Sequence, residues 1–354
     1  MAFGGIRIDL IYSNGWTPSQ AIELVRDLEK AVPGSVEFVE GYNEINNFPV
    51  AYGGLNGAAG AAAGQAALYR AIKGDSDLKH IRVLDMTGLE EIANTSFRRG
   101  SSLQGYADVT NVHVYAQNGR QPGIWIYPEK GSAQQSTEQP PDKAITEFGY
   151  ASMPQSGWLV IGVDERGQAK GLLNGIFDAA KSGFEKLYIY ELLDQKPDPQ
   201  NQELQFHFGL FTFDNRPKLA AFAIKNLTQI LEPPDAKGRN DQQRTMTALL
   251  PTPPIQLTVQ PTNDQHRIHA LSVVRSDGTL FVAAWQEPAF WDRATGQPLE
   301  APGVQVTLSF GKSCGAVKLY DVLQSSEPIS VSHEKPFPLI VGDHVQLVEC
   351  VNDR

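Results

Sequence analysis

The sequence predicts an α/β chain: a parallel β/α barrel-type domain followed by an all-β sandwich. Three observations carry this reading. Up to about residue 232, short apolar runs rich in β-branched and aromatic residues alternate with amphipathic helical stretches, which is the pattern of parallel β/α units. Beyond "EPPDAKGRNDQQ" the texture changes to short runs separated by Gly, Asp, Asn and Pro, as in antiparallel strands joined by turns. A chain of 354 residues with 41% hydrophobic content can bury one large core and a second, smaller one. The expected division is 1–232 for the β/α domain, 233–250 for a linker and 251–354 for the sandwich.

Six strands are expected in the first domain, at residues 6–12, 36–44, 81–87, 109–117, 144–150 and 186–194. After the first, Thr17 opens a helix with Pro18 at its first position. Ala21, Ile22, Val25 and Leu28 line one face of it, and Pro33 and Gly34 end it. Later helices read at 58–73, 165–182 and 219–231, with helical apolar spacing and flanking glycines or prolines. Residues 119–142 are polar, proline-bearing and longer than an ordinary connection, hence an active-site loop or a mobile segment. In the second domain, strands are expected at 268–275, 279–285, 304–310, 316–322 and 344–350.

Composition excludes several classes. Lys and Arg total 30 against 40 Asp and Glu, and the net charge of −10 offers nothing to a phosphate backbone, so no nucleic acid partner is expected. No run approaches the ~20 apolar residues of a membrane span, so no membrane is expected either. The start, "MAFGGIRIDL", lacks a secretory signal. The chain as it stands would be soluble and cytoplasmic; one that had lost an N-terminal segment would be secreted. "GGLNGAAGAAAG" has no dinucleotide spacing and no phosphate-loop Lys. The pair in "HRIH" has no carboxylate or cysteine at ligand spacing, so neither a cofactor nor a metal is expected. Cys314 and Cys350 lack metal-ligand spacing, and whether they form a disulfide is open.

Two motifs carry chemistry. "EGYNEIN" and "ITEFGY" each place a Glu, Glu44 and Glu147, after an apolar strand-like run. Two positioned carboxyl groups suit glycoside hydrolysis, where one protonates the leaving oxygen and the other attacks the sugar or activates water. Strands of one parallel barrel would bring such distant residues to a common rim. The bland readings are a strand-end surface Glu for Glu44 and a capping or salt-bridged Glu for Glu147. Glu40 reads as a supporting acid for the Asn43–Glu44 segment or as an outward-facing residue, not as catalytic. His113 and Tyr115, two apart, share one side of a strand, at the barrel mouth or in the core. Trp16, Trp125 and Trp158 lie in loops after strands, as platforms for sugar rings or as packing. Of Tyr190 and Glu191, alternation lets one point inward unless a bulge intervenes.

The ordered set of "NE" at Asn43 and Glu44, "NVHVY" and "TEFGY" on consecutive strand ends resembles the clan A glycoside hydrolases, most closely families 5 and 39. In those families an Asn and the acid/base Glu end the fourth barrel strand and the nucleophilic Glu ends the seventh. The strand count from Glu44 to Glu147 reproduces that interval. His113 and Tyr115 match a His and a Tyr that family 5 relatives present to the sugar. "LYIYELLDQKPDP" and "HFGLFTFDNRPKLAAFAIKNL" resemble the last β/α unit, so the resemblance spans 6–231. It implies a (β/α)8 TIM-barrel-type catalytic domain acting on a carbohydrate with retention, Glu44 as acid/base and Glu147 as nucleophile. Sugar contacts would come from Asn43, His113, Tyr115, Trp16, Trp125, Trp158, Tyr190 and Glu191. It also implies that strand 6–12 is the third of eight, leaving six units. Unpaired edges would follow, and a partner chain or a homo-oligomer could supply the missing strands. The rival expectation is a non-catalytic carbohydrate-binding protein or a decayed glycosidase fragment.

Overall fold

The structure, a computed structural model, describes residues 6–87, 105–116, 119–126, 142–154, 162–233, 256–259, 268–311 and 313–351. The expected linker, after its first residue, lies outside the described residues, as do Trp158 and most of the 119–142 loop. Two compact units are formed. The first comprises the described residues of Met1–Val114, Pro128–Glu147 and Gly183–Tyr188, and the second those of Tyr115–Tyr127, Phe148–Ser182 and Ile189–Arg354.

The first unit is built on a parallel sheet. Its strands are β1 (Ile8–Ile11), β2 (Val36–Glu40), then, after a short hairpin of β3 (Ala51–Tyr52) and β4 (Leu55–Asn56), β5 (Arg82–Leu84), β6 (Val109–Val114), β7 (Asp142–Phe148) and β8 (Lys186–Ile189). The order β1-β2-β5-β6-β7-β8 is sequential, and the sheet curls as a half-barrel of six strands. Between β1 and β2 runs α1 (Pro18–Ala31), closed at its start by a reciprocal Thr17–Gln20 capping box with Pro18 beside it. Before β5 runs α2 (Gly57–Gly74). Val39, Val83 and Leu10 pack with Ala21, Val25, Leu68 and Ile72 in one apolar cluster, as the alternation of a strand covered by helices requires.

The opposite face of the sheet is layered. Phe38, Leu84, Val109 and Ala144 form a closed apolar floor, one residue from each of four neighbouring strands. Two residues further along, period-two alternation brings Glu40, Asn111 and Thr146 to the same face, all buried. The floor is therefore apolar and the layer at the C-terminal ends of the strands is polar.

Several strands end earlier than expected, among them β5 at Leu84, β6 at Val114 and β8 at Ile189, and one such boundary bears on the site. The run at 36–44 was expected to be one strand, but β2 ends at Glu40. A Cβ at Gly41 would collide with the Gln65 side chain and lie 2.7 Å from the Met86 amide. The chain next turns at Glu44, whose φ of 40° is left-handed, a conformation uncommon for a residue with a side chain.

The second unit contains the short α3 (Gly123–Ile126), α4 (Glu165–Lys181) and α5 (Leu219–Leu231), then the β-rich region. That region comprises β9 (Gln256–Val259), β10 (Ile268–Val274), β11 (Leu280–Gln286), a small hairpin of β12 (Trp291–Asp292) and β13 (Gln297–Pro298), then β14 (Val304–Ser309), β15 (Ala316–Asp321), β16 (Ser330–Ser332), β17 (Phe337–Val341) and β18 (Gln346–Val351). A five-stranded antiparallel sheet, β10-β11-β18-β15-β16, and a three-stranded one, β17-β14-β9, share a core that includes Val282, Val306, Leu308, Leu339, Val341 and Val348. A sandwich is what the sequence predicts, though β9, β16 and β17 lie outside the five strands expected. Every residue of β11 is buried because its second face is covered too, Trp285 packing with Phe177 and donating to Asp178 of α4 at 3.0 Å. Cys314 and Cys350 form a disulfide.

Candidate active site

Glu44, His113 and Glu147 converge in the first unit. His113 Nδ1 lies 3.0 Å from Glu44 Oε1 and 3.6 Å from Glu147 Oε2, and its Nε2 lies 3.8 Å from Glu40 Oε1. One carboxylate oxygen of Glu44, one of Glu147 and a ring nitrogen of His113 all fall within 4.8 Å of one another. The side chains of His113 and Glu40 are 0% and 1% exposed, whereas those of Glu44 and Glu147 are 10% and 17% exposed. The cluster is thus sealed at its base and open at its two carboxyl groups.

Local structure places each member. Glu44 is held by its backbone: its N–H donates to Thr87 Oγ1 at 3.0 Å, and the amides of Asn47 and Phe48 donate to its carbonyl. Thr87 also binds the chain on both sides of Glu44, its N–H donating to Tyr42 and its carbonyl accepting from Ile45. His113 sits on β6 two residues beyond Asn111, so both face the polar layer. Glu147 is the penultimate residue of β7. Its neighbour Thr146 reaches the same layer, its hydroxyl donating to Asn111 Oδ1 at 2.6 Å and standing 3.1 Å from Glu40 Oε1, which accepts from Asn111 Nδ2 at 2.6 Å. Glu40 thus faces inward.

Charge decides the state of His113. Burial opposes protonation of the ring, but Glu40, Glu44 and Glu147 around it outweigh burial and push the ring up to about 9. The imidazolium balances part of their charge. Asn43 is half-buried beside Glu44, and its side-chain oxygen has no hydrogen-bond partner among the described residues.

The other sequence candidates have the following settings. Trp16 packs against the apolar cluster around α1 and α2, and Tyr12 donates to its carbonyl. Tyr115 and Tyr190 belong to the second unit, where their rings meet edge-on at 6.1 Å with Phe208 against both. The Tyr190 hydroxyl accepts from Gln195 and Gln205, and Gln195 also reaches Glu191 at 3.4 Å. The Tyr190–Glu191 peptide is cis. Trp125 lies half-buried in α3. Sequence reasoning did not single out Thr87, Asn111 and Thr146. The available signals were the spacing of Asn111 from His113 and the adjacency of Thr146 to Glu147; nothing local marked Thr87.

A second convergence, Asp178, His269 and Glu287, is built in the second unit. No carboxylate stands at ligand spacing from His269 along the chain, but folding brings Glu287 Oε2 to 3.0 Å from its Nε2. Lys181 Nζ stands 3.1 Å from His269 Nδ1, Trp285 donates to Asp178, and the Gly123 amide donates to Glu287. Protein groups answer this cluster from several sides, as in a buried polar network joining α4 to β10 and β11.

No protein-family model and no curated protein matches the chain. Solved structures do. The chain is similar to a family 39 glycoside hydrolase from the gut symbiont Bacteroides cellulosilyticus WH2, with a TM-score of 0.54 and 13% identity over 92% of this chain and 60% of that one. It is similar to SrfJ from Salmonella typhimurium, with a TM-score of 0.53 and 10% identity over 95% and 62%. An endo-β1,6-glucanase matches with a TM-score of 0.50 and 11% identity over 95% and 63%. The fold is shared with glycoside hydrolases. At these identities the likeness is one of fold, and the chain spans 60–63% of the length of these three proteins. The barrel-type parallel sheet followed by a β-rich region, expected from the sequence, is thereby met. Among the described residues, no helix is long and apolar enough to cross a membrane.

Proposed function

We propose that the chain is a glycoside hydrolase that cleaves a β-linked glycoside or polysaccharide with retention, Glu44 serving as acid/base and Glu147 as nucleophile. The observation that carries this reading is the approach of a Glu44 oxygen and a Glu147 oxygen to within 4.8 Å of each other. Retaining enzymes hold their two carboxyl groups about 5–5.5 Å apart, whereas inverting ones leave room for a water.

In the first step a Glu147 oxygen bonds to the anomeric carbon as the glycosidic C–O bond breaks, and Glu44 gives its proton to the departing oxygen. In the second step Glu44 takes a proton from water, whose oxygen displaces Glu147 and regenerates both carboxyl groups. His113, bonded to Glu44 and facing Glu147, orients the pair. Asn43 adjoins Glu44 in the chain, the position of a contact to a sugar hydroxyl beside the scissile bond. Carbohydrate is the partner this site favours.

The second reading is a carbohydrate-binding protein without turnover. Hydrolysis of a panel of activated aryl β-glycosides by the purified chain separates the two. Turnover that falls by roughly 100-fold or more in Glu44→Gln and in Glu147→Gln, with a product of retained configuration by NMR, supports the enzyme. A folded wild-type chain that binds sugars without turnover supports the second reading.

A further inference from the structure

Behind the candidate carboxyl pair lies a third acidic contact that the proposed reaction does not use. Asp9 on β1 stands opposite Phe38, and Ile11 stands opposite Glu40, so Asp9 and Glu40 share a face on neighbouring strands as a diagonal pair. Glu40 Oε1 is engaged by Asn111 and Thr146. Glu40 Oε2 and Asp9 Oδ1 are both buried and have no donor among the described residues. Two ionised carboxylates in that position would repel and remain unsatisfied. One proton between them removes both penalties, because a carboxylic acid O–H can donate to the neighbouring carboxylate.

We propose that Asp9 is a positioning residue that keeps this proton at neutral pH and shares it with Glu40 in a hydrogen bond, so that Glu40, carrying the negative charge, anchors His113 and through it Glu44. The role in positioning rests on the glycosidase reading; the shared proton does not.

Geometry decides which residue is the acid. Glu40 accepts from Asn111 and has the Thr146 hydroxyl and the His113 ring nearby, all favouring its anion. Asp9 has no such support. Among the charged groups around it, Arg7 and Lys186 are spent on Glu37, at 3.8 Å and 2.8 Å. The other titratable neighbours are Glu37 itself, Tyr188 on β8, and, beyond Glu40, His113 and Glu147. In agreement, burial first and then the charge of Glu40 push the Asp9 carboxyl up to about 8. The phenol of Tyr188 is likewise raised, by burial and then by Asp9, Glu37 and Glu40. Ionising Asp9 would set a second negative charge against Glu40 and loosen its hold on His113.

The test is side-chain carboxyl NMR of the chain labelled at Asp Cγ, with the Asp9 signal assigned by its loss in Asp9→Asn. The expected result is a titration near pH 8 that moves down toward the ordinary carboxylate range in Glu40→Gln. An Asp9 that is ionised at pH 6 would overturn the proposal. Because native Asp9 keeps a proton that the unfolded chain releases above pH ~4, Asp9→Asn should have a higher urea midpoint than wild type near pH 7.5; a lower one would count against it. Where turnover is measurable, Asp9→Ala is expected to lower kcat by roughly 10- to 100-fold with KM little changed, and Asp9→Asn, which can still donate to Glu40, to recover most of it. Equal losses in the two variants would overturn the positioning role. A wild-type chain without turnover would sink the glycosidase reading and leave the titration to decide the proton.

Discussion

His113 Nδ1 lies 3.0 Å from Glu44 Oε1, although the two residues are 69 positions apart in the chain. The contact joins the C-terminal end of β6 to the loop after β2, and Glu40 backs it from beneath. An imidazolium among carboxylates is a stability statement as well as a feature of the site.

The first prediction concerns that ring. With its value raised from about 6.5 to about 9, His113 stabilises the fold fully below pH ~6.5, and the contribution is lost as pH rises through about 9. His113→Gln should therefore be less stable than wild type near pH 6, by roughly 3 kcal/mol. The gap should close by about pH 10 in urea unfolding. A gap independent of pH would contradict the charged ring.

Thr87 holds the Glu44 segment. Thr87→Val keeps the shape but removes the acceptor for the Glu44 amide, leaving a buried N–H without its partner. The expected cost is about 1–3 kcal/mol in chemical unfolding. Any turnover should fall in kcat more than it changes KM, since Glu44 is displaced rather than removed.

In the second unit His344 is clamped between Asp321 and Asp343, at 3.1 Å and 3.0 Å, and Lys170 of α4 reaches Asp343 at 2.6 Å. Burial opposes ionisation of all three clamped groups, but their mutual bonds prevail, raising His344 and lowering both Asp residues. The carboxylate contribution is present above pH ~4 and lost on acidification. The histidine contribution is present below about 6.5 and lost as pH rises through its raised value. Stability of this unit should peak between those limits, and His344→Ala should cost about 3–5 kcal/mol there, measured by urea unfolding across pH.

The Cys314–Cys350 disulfide closes a segment of sequence separation 36 between β18 and the start of β15. Removing it releases loop entropy into the unfolded chain worth about 4 kcal/mol. A Cys314→Ser/Cys350→Ser chain should melt at a clearly lower temperature than the oxidised protein, and reductant should lower the melting temperature of wild type but not of the double variant.

Much of this architecture was legible in the sequence. Thr17-Pro18 and the apolar face through Val25 marked α1, whose capping and burial follow from local chemistry. The apolar runs marked all six parallel strands, and the turn-punctuated C-terminal third marked the sandwich. Glu44 and Glu147 stood out because each follows such a run. What was missed is non-local. The end of β2 at Glu40 depends on Gln65 and Met86 crowding Gly41. The inward face of Glu40 depends on Asn111 and Thr146 from two other strands. The partners of His269 come from α4 and from the end of β11.

The sequence by itself determined the order and kind of the elements, because helix caps, turn residues and hydrophobic periodicity act over a few residues. It also determined that two glutamates would stand at or near strand ends. Only the tertiary structure decided which acids meet: that Glu44 and Glu147 share His113, and that Asp9 and Glu40 face each other with unfilled oxygens. Sheet register and curl decide those distances, and the protonation of His113 and Asp9 follows from burial and neighbouring charge, which exist only once the strands are assembled.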